Sequence, residues 1–276
     1  MSRRDLPDRT EGRAGVVTFG LSVFVPARNE SGNLEGAIQD IIEAAESRFI
    51  DYEILLVDDG STDGTSALAD RLERANPRIR AIHHPQPRGI AFGYQAALAL
   101  ATKGYFAFIP GDREINVASI RAIFGAVGTA DLVVPYHANR EARAWYRRVM
   151  TWVTTSLINA LFWRRLRYYQ GPTVYPTALA RQLPARTGGF FFLAEKLLYA
   201  LDHGCTYVEV GLLHQERVFG RSKAVTVANI LVALQTIFET WWTLRVRNAQ
   251  PALGVAEPVD SDAASDGPAF EERAKS

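Results

Sequence analysis

The first half of the chain alternates short continuous apolar runs with longer segments whose apolar residues recur at helical spacing. The run Ile54–Val57 is typical of a strand buried on both faces of a parallel sheet. Further back, Leu34, Ile38 and Ile41 share one face of a predicted helix. Repetition of this alternation predicts βαβ units, a parallel sheet and right-handed crossovers. The predicted strands end at Pro26, at Val57, at His84 and close to Ile109, and the alternation continues to Asp112.

The second half contains a further predicted strand, Asp131–His137, and two segments in which apolar residues follow a helical repeat. The segment 139–167 carries seven arginines against one glutamate, and the segment Val227–Leu244 contains Trp241 and Trp242. Basic helices that carry tryptophan are typical of membrane interfaces, but a packed helix with a charged solvent face shows the same pattern. The two apolar stripes are Trp145, Val149, Trp152, Val153, Leu157, Ala160 and Leu161, and then Ile230, Leu231, Leu234, Ile237, Phe238 and Trp241.

Length and composition indicate one enlarged domain or two small ones. The chain has 276 residues, of which 47% are hydrophobic, and a formal net charge of +1, so it can bury a large core. We predict a polar leader at 1–18, an α/β domain at 19–225, an amphipathic surface helix at 226–247 and a tail at 248–276. The tail is rich in Ala, Pro, Gly, Ser and acidic residues, a composition typical of disorder.

The composition also predicts the compartment. Cys205 is the single cysteine and cannot form an intramolecular disulfide, which fits a reducing environment. The amino terminus has charges but no apolar signal-peptide core, and no uninterrupted apolar stretch reaches the ~18 residues that a spanning helix needs. We therefore expect a cytoplasmic protein that is peripherally associated with a membrane surface through its two amphipathic segments.

Acidic loops follow two of the predicted strands. Asp58 and Asp59 come after the second strand, where Gly60 allows a tight turn, and Asp112 follows the fourth strand. Open α/β sheets bind ligands at their carboxyl edge, so we expect these carboxylates to meet over one ligand. The loop after the first strand reads PARNESGNLEG instead of G-x-G-x-x-G, which argues against NAD. The five histidines lack metal-ligand spacing, and we expect them to be structural.

Five segments, in this order, resemble those of the family 2 nucleotide-sugar glycosyltransferases. They are VPARNE, EILLVDDGSTDGT, an Ala-rich helix that follows an Arg-Gly pair, the acidic loop IPGDREI, and HQERVFGRSK at His214–Lys223. Within the family, the chain is similar to the polyprenyl-phosphate hexose synthases typified by dolichyl-phosphate mannosyltransferase. The resemblance covers roughly residues 20 to 225. It implies a GT-A fold with a Rossmann-like, mostly parallel sheet flanked by helices, to which this chain adds the two amphipathic interfacial helices.

The resemblance also implies where a nucleoside-diphosphate sugar binds. In the family, the loop after the first strand and the aspartate after the second strand hold the nucleoside. Carboxylates there can accept hydrogen bonds from base N–H groups or ribose hydroxyls. Relatives often have an aromatic residue where this chain has Ala27, so stacking is lost at that position. The implied donor-binding residues are Pro26, Ala27, Arg28, Glu30, Asp58, Asp59, Gly60, Asp112, Arg217 and Lys223.

A divalent cation, Mg²⁺ or Mn²⁺, is implied at the acidic loop, because the family holds it there with an Asp-x-Asp pair. Pro110 occupies the first aspartate position in this chain, and we expect Asp112 to bind the metal with help from Glu114. The segment ERVFGRSK resembles the family's Glu-Arg-x-x-Gly-x-Ser-Lys loop. Arg217 and Lys223 would there act in catalysis by offsetting charge on the leaving nucleoside diphosphate.

The implied acceptor is a polyprenyl phosphate, which is already anionic near pH 7 and needs cationic neutralisation instead of a general base. Among the arginines before and within the first amphipathic helix, Arg148 aligns best with the family's arginine in this region. Glu195 matches a family glutamate and is a candidate catalytic residue that orients the acceptor. The segment YYQGPTVYP replaces the family's Asp-x-x-Ser-Gly-Phe loop, so acceptor handling is expected to differ. The candidate acceptor-phosphate residues are Arg143, Arg147, Arg148 and Ser222.

These features predict an inverting transferase that moves a hexose from a nucleoside-diphosphate sugar to a polyprenyl phosphate at the cytosolic membrane face. No nucleic-acid partner is expected, and the sugar, the nucleotide and the oligomeric state stay open. One alternative is a family 2 transferase that acts on a hydroxyl of a glycolipid or polysaccharide, which requires a base such as Glu195. The other is a non-catalytic sugar-nucleotide sensor or membrane-associated scaffold, which the missing first aspartate of the acidic loop favours.

Overall fold

The computed structural model describes residues 19–139, 145–186, 191–213, 215 and 227–246, and only the backbone of 147 and 227–234. The predicted leader at 1–18, the predicted tail at 248–276 and all of the basic segment His214–Lys223 except Gln215 lie outside these residues. The elements are β1 (Leu21–Ala27), α1 (Leu34–Glu46), β2 (Tyr52–Asp59), α2 (Thr65–Ala75), β3 (Ile79–His84), α3 (Ile90–Leu100), β4 (Tyr105–Phe108), α4 (Val117–Gly125), β5 (Leu132–His137), α5 (Trp145–Phe162), β6 (Tyr175–Pro176), α6 (Thr177–Gln182), α7 (Phe191–Asp202), β7 (Tyr207–Leu212) and α8 (Val227–Arg245).

The sheet confirms the predicted parallel βαβ order. Strands β3, β2, β1 and β4 lie side by side and are parallel, and β6 pairs antiparallel with β4. Strands β5 and β7 form a second parallel pair, which an antiparallel bridge between Val133 and Val174 joins to the chain just before β6. The segment 174–176 runs antiparallel to both β4 and β5, so these two strands point the same way. The carboxyl ends of β1 to β5 and of β7 therefore meet at one edge.

Helices cover both faces of the sheet, and each strand contributes alternate side chains to each side. On one face, Phe24, Leu55 and Phe106 pack with residues of α3, α6 and α7. On the other face, Val23 and Leu56 pack with α1 and α4. Strands that are buried on both faces need the continuous apolar runs seen in the sequence, since a polar residue on either face would be desolvated.

Helix α5 is only half covered by the rest of the domain. Ile158 and Phe162, near its carboxyl end, are buried in the core. Its amino-terminal half instead leaves a run of large apolar side chains in solvent. We call this run the α5 apolar face; it consists of Trp145, Tyr146, Val149, Trp152 and Val153, with exposed fractions between 43% and 74%.

Helix α8 packs against the domain along one side. Ile237 and Leu244 are buried, and Trp241 packs against the same core cluster, whereas Phe238 and Trp242 are exposed. The carboxyl end is anchored where the Arg245 guanidinium donates to the Phe162 carbonyl at 3.1 Å. The side of α8 that carries Ile237 and Leu244 therefore packs against the domain, as the alternative of a packed helix predicts. The interfacial role of both helices stays a prediction. In the part of the chain that the structure describes, no helix is long and apolar enough to cross a bilayer.

Candidate functional site

The loops after β1 and β2 are held together by hydrogen bonds between them. The Ser31 backbone and hydroxyl both donate to Asp63 Oδ2, at 3.2 and 2.9 Å, and the Thr62 backbone donates to Asn29 Oδ1 at 2.8 Å. The pKa of Asp63 falls to about 2: burial raises it, but hydrogen bonds from Thr65 and Ser31 outweigh that effect. The two loops therefore form one preorganised wall at the carboxyl edge.

Asp58 is the most enclosed acid of this wall, with 2% of its surface exposed. Its carboxylate accepts hydrogen bonds from the Ser61 backbone at 3.1 Å, the Ser66 hydroxyl at 2.5 Å and His83 Nδ1 at 3.2 Å. Burial raises the pKa of Asp58, yet these hydrogen bonds lower it further than burial raises it. Asp58 is thus a fixed, ionised acceptor.

A cavity of about 550 Å³ opens in front of Asp58. Nine of its twelve lining residues have polar side chains, which suits a nucleoside. Three of the predicted donor-binding residues line it: Arg28, Asp58 and Gly60. Glu30 instead accepts from the Asn33 amide at 2.7 Å, and Pro26 and Ala27 end β1 beside the cavity. Other residues of the wall are Asn29, Ser61, Thr62, Ser66, Asp70, His83, His84, Pro85 and Pro87.

Asp59, also predicted to bind the donor, holds the loop between β3 and α3. Its carboxylate accepts from the backbones of Arg88 and Gly89 at 2.7 and 2.9 Å, and from His84 Nδ1 at 3.0 Å. Burial raises its pKa, but these hydrogen bonds lower it overall. A side chain at Gly60 would collide with the backbone of the same loop, 2.8 Å from Pro87 N, which explains the glycine there.

The parallel register accounts for the two histidines. Asp58 lies opposite His83 and Asp59 opposite His84, so each histidine meets one carboxylate on its own face of the sheet. The sequence interpretation treated both histidines as structural and missed that they line the cavity. The signal was an Asp-Asp pair on one strand beside a His-His pair on the next.

The acidic loop after β4 is fastened to the end of β1. The backbones of Ile109 and Gly111 donate to the carbonyls of Phe24 and Pro26 at 3.0 and 3.1 Å. A Cβ at Gly111 would lie 2.9 Å from the Pro26 oxygen, so only glycine permits this approach. The loop thus places the predicted metal ligand Asp112 beside the end of β1, outside the set of residues that line the cavity.

Two carboxylates of this loop suit a hard divalent cation. Asp112 and Glu114 are both partly exposed, and Asp112 Oδ1 accepts from the Glu114 backbone at 3.1 Å. Among the described residues, no three His, Cys, Asp or Glu side chains are grouped to hold a metal. A two-carboxylate set fits Mg²⁺ or Mn²⁺ when a diphosphate and water supply the remaining oxygen ligands. Arg113, between the two acids, pairs with Asp40 at 2.8 Å.

Strand β7 leads to Gln215, the described residue of the basic segment His214–Lys223, which lies against the acidic loop. The Gln215 backbone donates to the Glu114 carbonyl at 2.9 Å, and its side-chain amide donates to the Arg113 carbonyl at 2.8 Å. Leu213 is held by the Ser119 hydroxyl at 2.8 Å. The segment that carries Arg217, Ser222 and Lys223 therefore begins at the acidic loop, although these three residues lie outside the described part.

A second, smaller cavity of about 60 Å³ lies at the end of β5. Arg148, which the sequence proposed for the acceptor, lines it together with Arg167. The Arg167 guanidinium lies 4.4 Å from the centre of the Tyr136 ring. Arg143 and the side chain of Arg147 lie outside the described residues. The remaining wall consists of His137, Thr151, Trp152, Thr155, Ser156 and Tyr168.

Glu195 and Lys196 occupy a buried position on α7. Glu195, 3% exposed, accepts from the Arg186 backbone at 2.9 Å. Lys196 is fully buried and donates to the carbonyls of Ala180 and Leu183 at 2.6 and 2.9 Å. Burial lowers the pKa of Lys196 to about 8, against the opposing effect of Glu195. Together the two side chains fix the segment that precedes α7, a role for which the sequence offered no signal.

A mostly parallel sheet with a nucleoside-sized polar cavity at β1 and β2 and an acidic loop at β4 defines a GT-A-like nucleotide-sugar transferase fold. The chain belongs to glycosyl transferase family 2, whose sequence model matches residues 22–198. It is thus a glycosyltransferase, as the sequence predicted.

Two named relatives and one solved structure are similar to the chain. The chain is 27% identical over 238 residues to a polyprenol monophosphomannose synthase of Mycolicibacterium smegmatis, which covers 82% of this chain and 87% of the relative. It is 26% identical over 157 residues to a dodecaprenyl-phosphate galacturonate synthase of Rhizobium johnstonii, a match that covers 56% of this chain and 46% of that one. The fold resembles glucosyl-3-phosphoglycerate synthase of Mycobacterium tuberculosis in complex with Mn²⁺, UDP-glucose and phosphoglyceric acid, with a TM-score of 0.62, 18% identity and coverage of 81% and 80%.

Proposed function

We propose that the protein transfers a hexose from a nucleoside-diphosphate sugar to a polyprenyl phosphate at a cytosolic membrane face. The observation that carries this proposal is the arrangement along the sheet edge. The polar cavity lies at β1 to β3, the acidic loop at β4, and the arginine-lined cavity at β5. A donor and an anionic acceptor could thus meet at Asp112.

The chemistry fits a displacement without a general base. A phosphate oxygen of the acceptor forms a bond to C1 of the sugar while the bond from C1 to the donor's β-phosphate oxygen breaks. The electron pair leaves with the nucleoside diphosphate, and one displacement inverts C1. A bound Mg²⁺ or Mn²⁺ supplies charge neutralisation at the diphosphate. Asp112 and Glu114 would hold this ion, Asp58 and Arg28 the nucleoside, and Arg148 and Arg167 the acceptor phosphate.

Helix α5 supports a lipid-linked acceptor. Trp152 lines the arginine-containing cavity and is also 65% exposed as part of the α5 apolar face. Arginine beside exposed tryptophan is typical of a surface that contacts lipid headgroups and acyl chains. A phosphate anchored in a bilayer would reach this cavity from that side.

The test is calorimetric titration of UDP- and GDP-sugars with and without Mn²⁺, followed by turnover with a polyprenyl phosphate. We expect one donor to bind in a metal-dependent way, and Asp112→Asn to weaken its binding about tenfold or more, since a carboxylate ligand is lost. Glu35→Gln, an exposed change on α1, is the charge-matched control. Tight donor binding without turnover would instead support the non-catalytic sensor.

The transferase that acts on a sugar hydroxyl is tested at Glu195. Loss of a general base costs about 10² to 10⁴ in rate. In our proposal, Glu195→Gln retains an oxygen that accepts from the Arg186 backbone, so turnover should stay within a few-fold of wild type. A loss of 10² or more with unchanged donor affinity would favour the hydroxyl acceptor.

A further inference from the structure

His83 lies in the wall of the large cavity, between two carboxylates. Its Nδ1 is 3.2 Å from Asp58 Oδ2, and its Nε2 is 3.1 Å from Asp70 Oδ1. Asp58 comes from β2 and Asp70 from α2, so the imidazole bridges two elements. His83 itself is 37% exposed and faces the cavity.

Both contacts can be hydrogen bonds at once in only one protonation state. A carboxylate only accepts, and a neutral imidazole has one N–H and one lone pair. The neutral ring would therefore point a lone pair at one of the two acids. The imidazolium donates to both of them, and its charge offsets theirs.

We propose that His83 is a positioning residue for the nucleoside diphosphate, an inference that rests on the proposed function. Its protonated ring holds the Asp58 carboxylate in place and neutralises the cavity wall. Loss of the proton leaves the wall more negative and weakens the binding of the anionic nucleotide.

The other charged groups nearby do not replace this cation. Arg28 comes from the loop after β1 and lines the same cavity. His84 also lines the cavity, but its Nδ1 faces Asp59 at 3.0 Å. Once His83 is neutral, Asp58 and Asp70 stand against Arg28, and a diphosphate brings further negative charge.

The experiment measures the dissociation constants of UDP and of GDP, each with Mn²⁺, by calorimetry between pH 5.5 and 8.5. Histidine titrates in this range. His83→Asn removes the charge, but its amide can still donate to Asp58. Asp70→Asn removes the second acid and keeps the contact between His83 and Asp58. Glu35→Gln controls for the loss of one exposed carboxylate elsewhere.

We expect wild type to lose about tenfold more affinity for its nucleotide across this range than His83→Asn loses, because only wild type loses the imidazolium charge. The titration of the nucleotide's own phosphate is common to all variants and cancels in this ratio. Asp70→Asn should move the midpoint of the loss to lower pH, because it removes one of the two acids that the imidazolium faces. Glu35→Gln should follow wild type.

Two results would overturn the proposal, and they differ in what else they imply. If wild type and His83→Asn bind the nucleotide with the same pH profile, His83 has no such role, while the proposed transferase function stands. If wild type binds neither UDP nor GDP at any pH, both proposals fail. Should His83→Asn not fold, an unmoved midpoint in Asp70→Asn overturns the inference by itself.

Discussion

At the residue scale, single charged side chains fix loops and connecting segments of the domain by hydrogen bonds. Asp59 holds the loop before α3, Asp63 joins the loops after β1 and β2, and Lys196 holds the segment before α7. Each side chain satisfies backbone or hydroxyl groups of the segment that it contacts. Asp59 and Asp63 thereby fix loops beside the cavity without adding to the apolar core.

Lys196 gives a pH-dependent prediction. Its pKa in the folded chain is about 8 and its ordinary value is 10.5. Between these values the unfolded chain binds the proton and the folded chain does not, so stability rises with pH in this window. We expect the free energy of unfolding of wild type to rise by about 2 kcal/mol relative to Lys196→Met from pH 8 to pH 10.5.

Urea unfolding at several pH values measures this difference. Lys103→Met is the matched control, because it removes a lysine that pairs with Asp51 and leaves Lys196 in place. Parallel pH profiles of wild type and Lys196→Met would show that Lys196 does not titrate in this window.

At the element scale, the sequence predicted the strands that are buried on both faces and missed the irregular ones. Continuous apolar runs identified β1, β2 and β4, because these runs are too short for a helix and are bounded by turn residues. Strand β6 has two residues, too few for any periodicity, and its position depends on pairing with β4. Strand β7 is partly exposed, and its pairing with β5 is a long-range contact that no local pattern encodes.

The α5 apolar face should bind lipid. Replacement of Trp145 and Trp152 by Ser removes large exposed aromatic groups without touching the buried Ile158 and Phe162. We expect this double variant to sediment several-fold less with liposomes that contain anionic lipid, because each buried aromatic side chain contributes about 1.5–3 kcal/mol.

Ile50 provides the control for this experiment. It is 66% exposed and precedes β2, at the opposite edge of the sheet from the cavities. Ile50→Ser should sediment like wild type. Equal sedimentation of the double variant and wild type would mean that this face does not meet the bilayer.

At the scale of the whole molecule, the fold and the position of the loops after β2 and β4 followed from the sequence more completely than the cavity at the end of β5. Asp58 and Asp112 were located because strand ends at one sheet edge converge whatever the loop details. The positions of Arg167 and His83 in the cavity walls depend on packing and strand register, which a single sequence does not state. The prediction of disorder for 248–276 lies outside the described residues.

Removal of residues 248–276 tests whether the domain is equally stable without its tail. We propose that the truncated chain keeps its melting temperature to within about 2 °C, because the core and both cavities are built from residues before this segment. Differential scanning calorimetry of the two chains makes the comparison. A drop of several degrees would show that the tail packs on the domain.

The attachment of Gln215 to the acidic loop has a consequence for evolvability. Both of its hydrogen bonds end on backbone carbonyls, those of Arg113 and Glu114. Side chains in that loop can therefore change during evolution without detaching the segment after β7 from the loop after β4. Proline has no backbone N–H, so the backbone at Pro110 donates no hydrogen bond to its surroundings. A carboxylate at this position can therefore be gained or lost during evolution while the rest of the loop keeps its contacts.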